Sequence, residues 1–186
     1  MSRRGWILAA TLAAFFGSHQ AFAAGVFTLA SSDFKDGERL QQKFAGNNKS
    51  NPNCVGENIS PEFTIANPPE GTRSFALLMF DPEGRPPGGV SHFVAYDIPA
   101  SVTSFAQGEL SKPGDKFVGG IGTAKQSTYT GPCTPPGAPH HYTFTLFATD
   151  LDAKALKEGM TRDEVIKALD GHVKGATGLI GTFSHP

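Results

Sequence analysis

Apolar residues in this chain fall into short runs at positions 26–29, 74–80, 93–98, 142–147 and 179–183, each rich in β-branched or aromatic side chains and bounded by Gly, Pro or Asn. Runs of this length and make-up predict strands. The alternation is clearest from 142 onward, with Tyr142, Phe144, Leu146 and Ala148 on one face and Thr143, Thr145, Phe147 and Thr149 on the other. His140 has the parity of Tyr142 and is expected at the head of the same face, whereas His141 falls on the opposite, exposed side. The same count puts His92 on one face with Val94, Tyr96 and Ile98.

Helical signals come late. Positions 152–157 predict a short helix closed by Gly159, and Thr161-Arg162-Asp163-Glu164 is a capping box that opens a second helix running to about Asp170. Val165, Ile166 and Leu169 give that helix an apolar stripe, Gly171 stops it, and His172 is placed to meet its negative end. Positions 101–130, rich in Gly, Ser and Lys and poorly patterned, predict a surface excursion. Many strands, few short helices and no β-α alternation indicate a mainly β fold, one domain built on a central antiparallel sheet.

The first 23 residues read differently. Arg3 and Arg4 precede an apolar stretch over 6–16, and Ala21-Phe22-Ala23 supplies a small-x-small cleavage signal, so 1–23 is expected to be a signal peptide and 24–186 the mature domain. The apolar stretch is shorter than the ~20 residues needed to cross a bilayer. A periplasmic or secreted location is therefore expected, with no membrane span. Removing Arg3 and Arg4 takes the formal net charge from −1 further negative and leaves no basic stripe, which argues against nucleic acid as a partner.

Cys54 and Cys133 are the only cysteines. In an exported chain they form a disulfide candidate, the alternative being two separate buried thiols. Closing so long a loop stabilises by about 4 kcal/mol on chain entropy.

Two stretches carry candidate chemistry. Asp81-Pro82-Glu83-Gly84-Arg85-Pro86 leads to Ser91-His92-Phe93, and Gly131-Pro132-Cys133-Thr134-Pro135-Pro136-Gly137 leads to His140-His141-Tyr142. Each sets a Pro/Gly-stiffened turn before a strand, which is how a sheet holds polar groups at its rim. A small anion needs convergent donors. The Gly131 turn could expose backbone N–H groups, and His92 and His140 could donate through ring nitrogens. Asp81 would repel an anion directly, so it is assigned to orienting a histidine or meeting an ammonium group. Glu83 reads as a turn charge.

These stretches resemble the phosphatidylethanolamine-binding protein family, in particular its bacterial Raf-kinase-inhibitor-like branch. Ser32-Asp33-Phe34-Lys35-Asp36-Gly37, Asn58-Ile59-Ser60-Pro61, Pro69-Glu70-Gly71-Thr72-Arg73-Ser74-Phe75, Gly171-His172-Val173 and Gly181-Thr182-Phe183 extend the likeness over almost the whole mature chain. The resemblance implies a central antiparallel sheet with a smaller packed sheet, and a small anion-binding cavity lined by Asp81, His92, Gly131, Pro132, His140 and Tyr142. It also implies that the loops carrying Cys54 and Cys133 lie close together. Phe93 and Phe183 stand where bacterial members commonly carry Trp and Tyr. A cis X–Pro bond is expected in the turn at 81–86.

The function this implies is binding of a phosphate-ester-like head group without catalysis, and with no cofactor or metal. Two other classes compete: a secreted protein-interaction or inhibitor module with an unknown protein partner, and a metal-dependent hydrolase using Asp81, His92 and His140 as ligands. The spacing of those three fits no familiar zinc pattern, and Gly-x-Ser-x-Gly, His-Glu-x-x-His and phosphate-loop signatures are absent from the sequence. The expected exported product begins at Ala24, is two hydrogens lighter than its reduced mass, and shows no tryptophan fluorescence because Trp6 is the sole tryptophan. Intact-mass measurement checks the first two, and labelling of both thiols in unreduced protein would overturn the disulfide.

Overall fold

A computed structural model describes residues 25–186, so the leader expected over 1–23 lies outside the described residues. Eight strands form two antiparallel sheets. The smaller has the order β1-β2-β5, from Thr28–Ala30, Phe63–Ala66 and Ser104–Phe105. The larger has the order β6-β4-β3-β7-β8, from Val118–Gly119, Val90–Pro99, Ser74–Asp81, His140–Thr149 and Val173–Phe183. Strands β2 and β5 carry too few residues to show a period in the sequence.

Strand β3 is central and covered on both faces, which is why it reads as an unbroken apolar run. Phe75, Leu77 and Met79 join the main core between the sheets, whereas Ala76 and Leu78 join a second core on the opposite face. Phe63 of β2 meets Phe144 of β7 with ring centroids 5.1 Å apart, and Phe34 meets Phe144 at 5.7 Å, so an aromatic cluster ties the sheets together. The second core is closed by α1, Arg162–Ala168, through Val165. Its capping box forms as predicted: Thr161 Oγ1 accepts from the Glu164 N–H, and the Glu164 carboxylate accepts from the Thr161 N–H.

Strand β7 keeps the predicted alternation, with Tyr142, Phe144, Leu146 and Ala148 in the main core. Strand β4 does not. Phe80 pairs with Ser91 but Met79 with Phe93, and Leu77 pairs with Ala95 but Phe75 with Ile98. His92 is thus the extra residue of one bulge, and a second bulge lies at Tyr96 and Asp97, where Asp97 has φ 53°. Each inserted residue shifts the parity by one. The face predicted for His92, Val94, Tyr96 and Ile98 is therefore split: Val94 and Tyr96 enter the second core, while Ile98 joins Phe93 and Ala95 in the main one.

Three other expectations need correcting. Positions 152–157 form turns and no helix. Lys154 adopts φ 75°, which breaks a helix, and the buried Asp97 carboxylate, distant in the chain, takes the Leu156 N–H. Segment 101–130 is no loose excursion, since it inserts Phe105, Leu110, Phe117 and Tyr129 into the main core. Tyr129 is fully enclosed and donates its hydroxyl to the Phe44 carbonyl at 2.8 Å. Irregular backbone masked this burial, because isolated aromatics carry no period. Finally, the His172 ring turns away from the helix end and donates to Asp150 at 2.8 Å, leaving its backbone N–H to meet the Leu169 carbonyl.

Cys54 and Cys133 are joined in a disulfide. The cis bond is Pro86–Pro87, one position past the turn in which it was expected. Among the described residues no helix is long and apolar enough to cross a membrane. Thr161→Ala, which removes the N-cap acceptor of α1, is expected to cost about 1 kcal/mol in urea denaturation with the slope unchanged.

Candidate functional site

Asp81 is the last residue of β3, where the central strand leaves the core, and the residue remains only 3% exposed. A buried carboxylate must be paired. Oδ1 accepts the backbone N–H groups of Glu83 and Gly84 at 2.8 and 3.0 Å, folding the Pro82–Gly84 segment back onto it. Oδ2 accepts Nδ1–H of His140, the first residue of β7, at 2.8 Å. One carboxylate thus pins the first motif turn to the strand that follows the second.

His92 reaches the same place through its bulge. With the extra residue in β4, its ring turns to the main-core side and packs edge-on against Tyr142, centroids 5.1 Å apart. Nδ1–H donates to the Thr130 carbonyl at 2.8 Å. Burial is the leading cause that pushes the His92 pKa below the ordinary histidine range, outweighing the Thr130 hydrogen bond and the Asp81 charge. The Tyr142 hydroxyl lies 2.7 Å from Thr134 Oγ1, and burial above all raises its pKa, so it stays protonated.

The result is a cavity of about 500 Å³ lined by Asp81, His92, Gly131, His140 and Tyr142. Five of the six expected residues therefore converge. Pro132 does not line it: it is buried behind the wall, its carbonyl accepting the Gly46 N–H at 2.8 Å. Gly131 lines the cavity in a different role from the one expected. Its N–H donates to Asn58 Oδ1 at 2.8 Å and is not free for an anion. A Cβ here would overlap the Phe44 carbonyl oxygen, so glycine is required by the packing of this loop on the 3₁₀ turn Gln42–Phe44. Asn58, at φ 60°, also donates from Nδ2 to the Tyr129 carbonyl at 3.1 Å, clamping the loop from both sides.

Several contributors were not singled out from sequence. Arg85, held at φ 48° in the first turn, is the only Lys or Arg lining the cavity among the described residues. Asn48, Asn51 and Gln126 add amides, and the Cys54–Cys133 disulfide, expected from the sequence, also forms part of the wall. A signal existed for Arg85, since it sits inside the Asp-Pro-Glu-Gly-Arg-Pro motif. None existed for Gln126, whose role follows from Nε2 donating to the His92 carbonyl at 2.9 Å. His141 faces outward as predicted, with its ring N–H on Glu83 Oε1 at 2.8 Å. Burial pushes the Glu83 carboxyl upward, but hydrogen bonds led by the one from His141 more than offset it, and its pKa is lowered.

Because the His92 pKa is depressed in the native state, the unfolded chain binds a proton that the native protein refuses between the depressed value and about 6.5. Stability is therefore expected to fall as pH drops through that window. His92→Gln should flatten this part of the profile, as read from urea denaturation midpoints between neutral and mildly acidic pH. Identical profiles for the two proteins would show that His92 carries no such linkage.

Comparison with known proteins places this geometry. Residues 30–184 match the sequence profile of the family described as phosphatidylethanolamine-binding protein. A UPF0098 protein of Aquifex aeolicus is 31% identical over 166 residues, covering 87% of this chain and 92% of the relative. The corresponding protein of Methanothermobacter thermautotrophicus is 34% identical over 159 residues, 83% of this chain and 97% of the relative. The crystal structure of Escherichia coli YbcL, described as a member of the mammalian PEBP family, superposes with TM-score 0.75 at 26% identity, covering 85% of this chain and 98% of YbcL. A homologue from Chlamydia trachomatis, described as a putative phosphatidylethanolamine-binding protein, superposes with TM-score 0.73 at 29% identity, covering 86% and 98%. With its fold, its motif order and the matched span in agreement, the chain belongs to the phosphatidylethanolamine-binding protein family.

Proposed function

We propose that this protein is an exported binding protein whose cavity holds a small phosphate-like anion, such as a phosphate-ester head group, without turning it over. The observation that carries the reading is the convergence of Asp81, His92, His140 and Tyr142 with Arg85 on one concave surface. Arg85 supplies a fixed positive charge at the rim, suited to phosphate oxygens. His140 and His92 supply ring nitrogens held in place from behind, and the Cys54–Cys133 link stiffens one wall.

Export is supported by the leader pattern over 1–23 and by the disulfide, which persists in oxidising compartments. Calorimetric titration with inorganic phosphate and with phosphoethanolamine tests the proposal. Arg85→Ala, His92→Ala and His140→Ala are each expected to weaken binding roughly tenfold or more, the scale of a lost charge-assisted hydrogen bond. His172→Ala, distant in the Asp150 pair, serves as the control. Wild-type affinity in all three site variants would show that the anion site lies elsewhere.

A further inference from the structure

The hydrogen bonds behind the two histidines decide what they can offer a ligand. Thr130 presents a carbonyl and Asp81 a carboxylate, and both groups only accept. The proton of each neutral ring must therefore sit on Nδ1, and each Nε2 is left with a lone pair. The ring nitrogens available to a ligand are acceptors, the wrong polarity for the oxygens of an anion. The rest of the wall compounds the mismatch. The Gly131 N–H is already given to Asn58. With both rings neutral, Asp81 and Glu83 outnumber Arg85 among the charged groups of the lining.

We infer that the cavity takes up its anion together with a proton, and that His140, rather than His92, receives that proton on Nε2. This deepens the anion-binding reading and rests on it. The proton arrives from solvent, Nε2 becomes a donor, and no covalent bond is made or broken. The His140 imidazolium would be stabilised by the Asp81 carboxylate 2.8 Å from Nδ1, whereas His92 has only the neutral Thr130 carbonyl behind it. The groups facing His140 are Asp81 at the end of β3, Glu83 and Arg85 in the turn, His92 from β4 and Tyr142 from its own strand. Of these, the two carboxylates favour the charged ring, while Arg85 and a charged His92 would oppose it. His92 is 7% exposed and its pKa is lowered by burial, which keeps it neutral while His140 charges. His92 Nε2 then remains an acceptor, able to take an O–H or N–H of the ligand.

Sulfate provides the test, because it stays a dianion near neutral pH and any proton taken up must go to the protein. Titrations of the disulfide-bonded domain at neutral pH, in buffers of different ionisation enthalpy, are expected to show uptake approaching about one proton per sulfate bound. Wherever one proton is taken up with the anion, affinity should fall about tenfold per pH unit as pH rises. His140→Gln should abolish the uptake and flatten that profile, whereas His92→Gln should retain the uptake. Imidazole NMR of the wild-type protein gives a readout independent of any variant's folding: the His140 ring signals should move to their protonated positions as sulfate is added. Sulfate binding without uptake, uptake that survives in His140→Gln, or a His140 ring that stays neutral in the complex would each overturn the inference while leaving the anion site standing. Failure of both sulfate and phosphate to bind would overturn the anion reading and this inference with it.

Discussion

A carboxylate buried at the end of the central strand organises one end of this protein. Strand β3 is enclosed on both faces, and where it emerges it presents Asp81, whose charge cannot be left unsatisfied. The three donors that meet it come from the turn just beyond and from the first residue of β7. Satisfying one group therefore fixes the path of the first motif and the orientation of His140 together. The shape of the cavity wall is in this sense a by-product of the need to pair a buried charge.

The second device is the bulge at His92. Regular pairing would have left this side chain on the α1 side of the sheet, beside the packing of Phe80 and Val94. One inserted residue turns it to the opposite side without disturbing Phe93 or Ala95, which stay in the main core. Asn58 does a comparable service for the opposite wall by gripping the Tyr129 carbonyl and the Gly131 N–H. His92, His140 and the Gly131 loop are thus each held by hydrogen bonds from neighbouring groups, an arrangement that limits their reorganisation.

The tautomers imposed from behind give these positions their chemical character. A histidine held by a carboxylate and one held by a carbonyl have the same neutral hydrogen-bonding pattern but different tolerance for a positive charge. Similar side chains in one cavity are differentiated by what stands behind them. Arg85 adds the permanent charge that neither supplies.

Local pattern was enough to identify the long strands, the alternation that places His140 beside Tyr142, the capping box at Thr161 and the two motifs whose order marks the family. Each of these depends on neighbours within a few residues, and side-chain period and capping chemistry are local properties. The tertiary structure alone decided the face of His92, the burial of Phe105, Phe117 and Tyr129, the loss of a helix at 152–157, and the commitment of the Gly131 N–H to Asn58. All four turn on partners distant in the chain. A bulge exists only against the strand it pairs with, and a backbone donor is free or taken according to what the fold brings up to it, so neither leaves a periodic mark in the sequence.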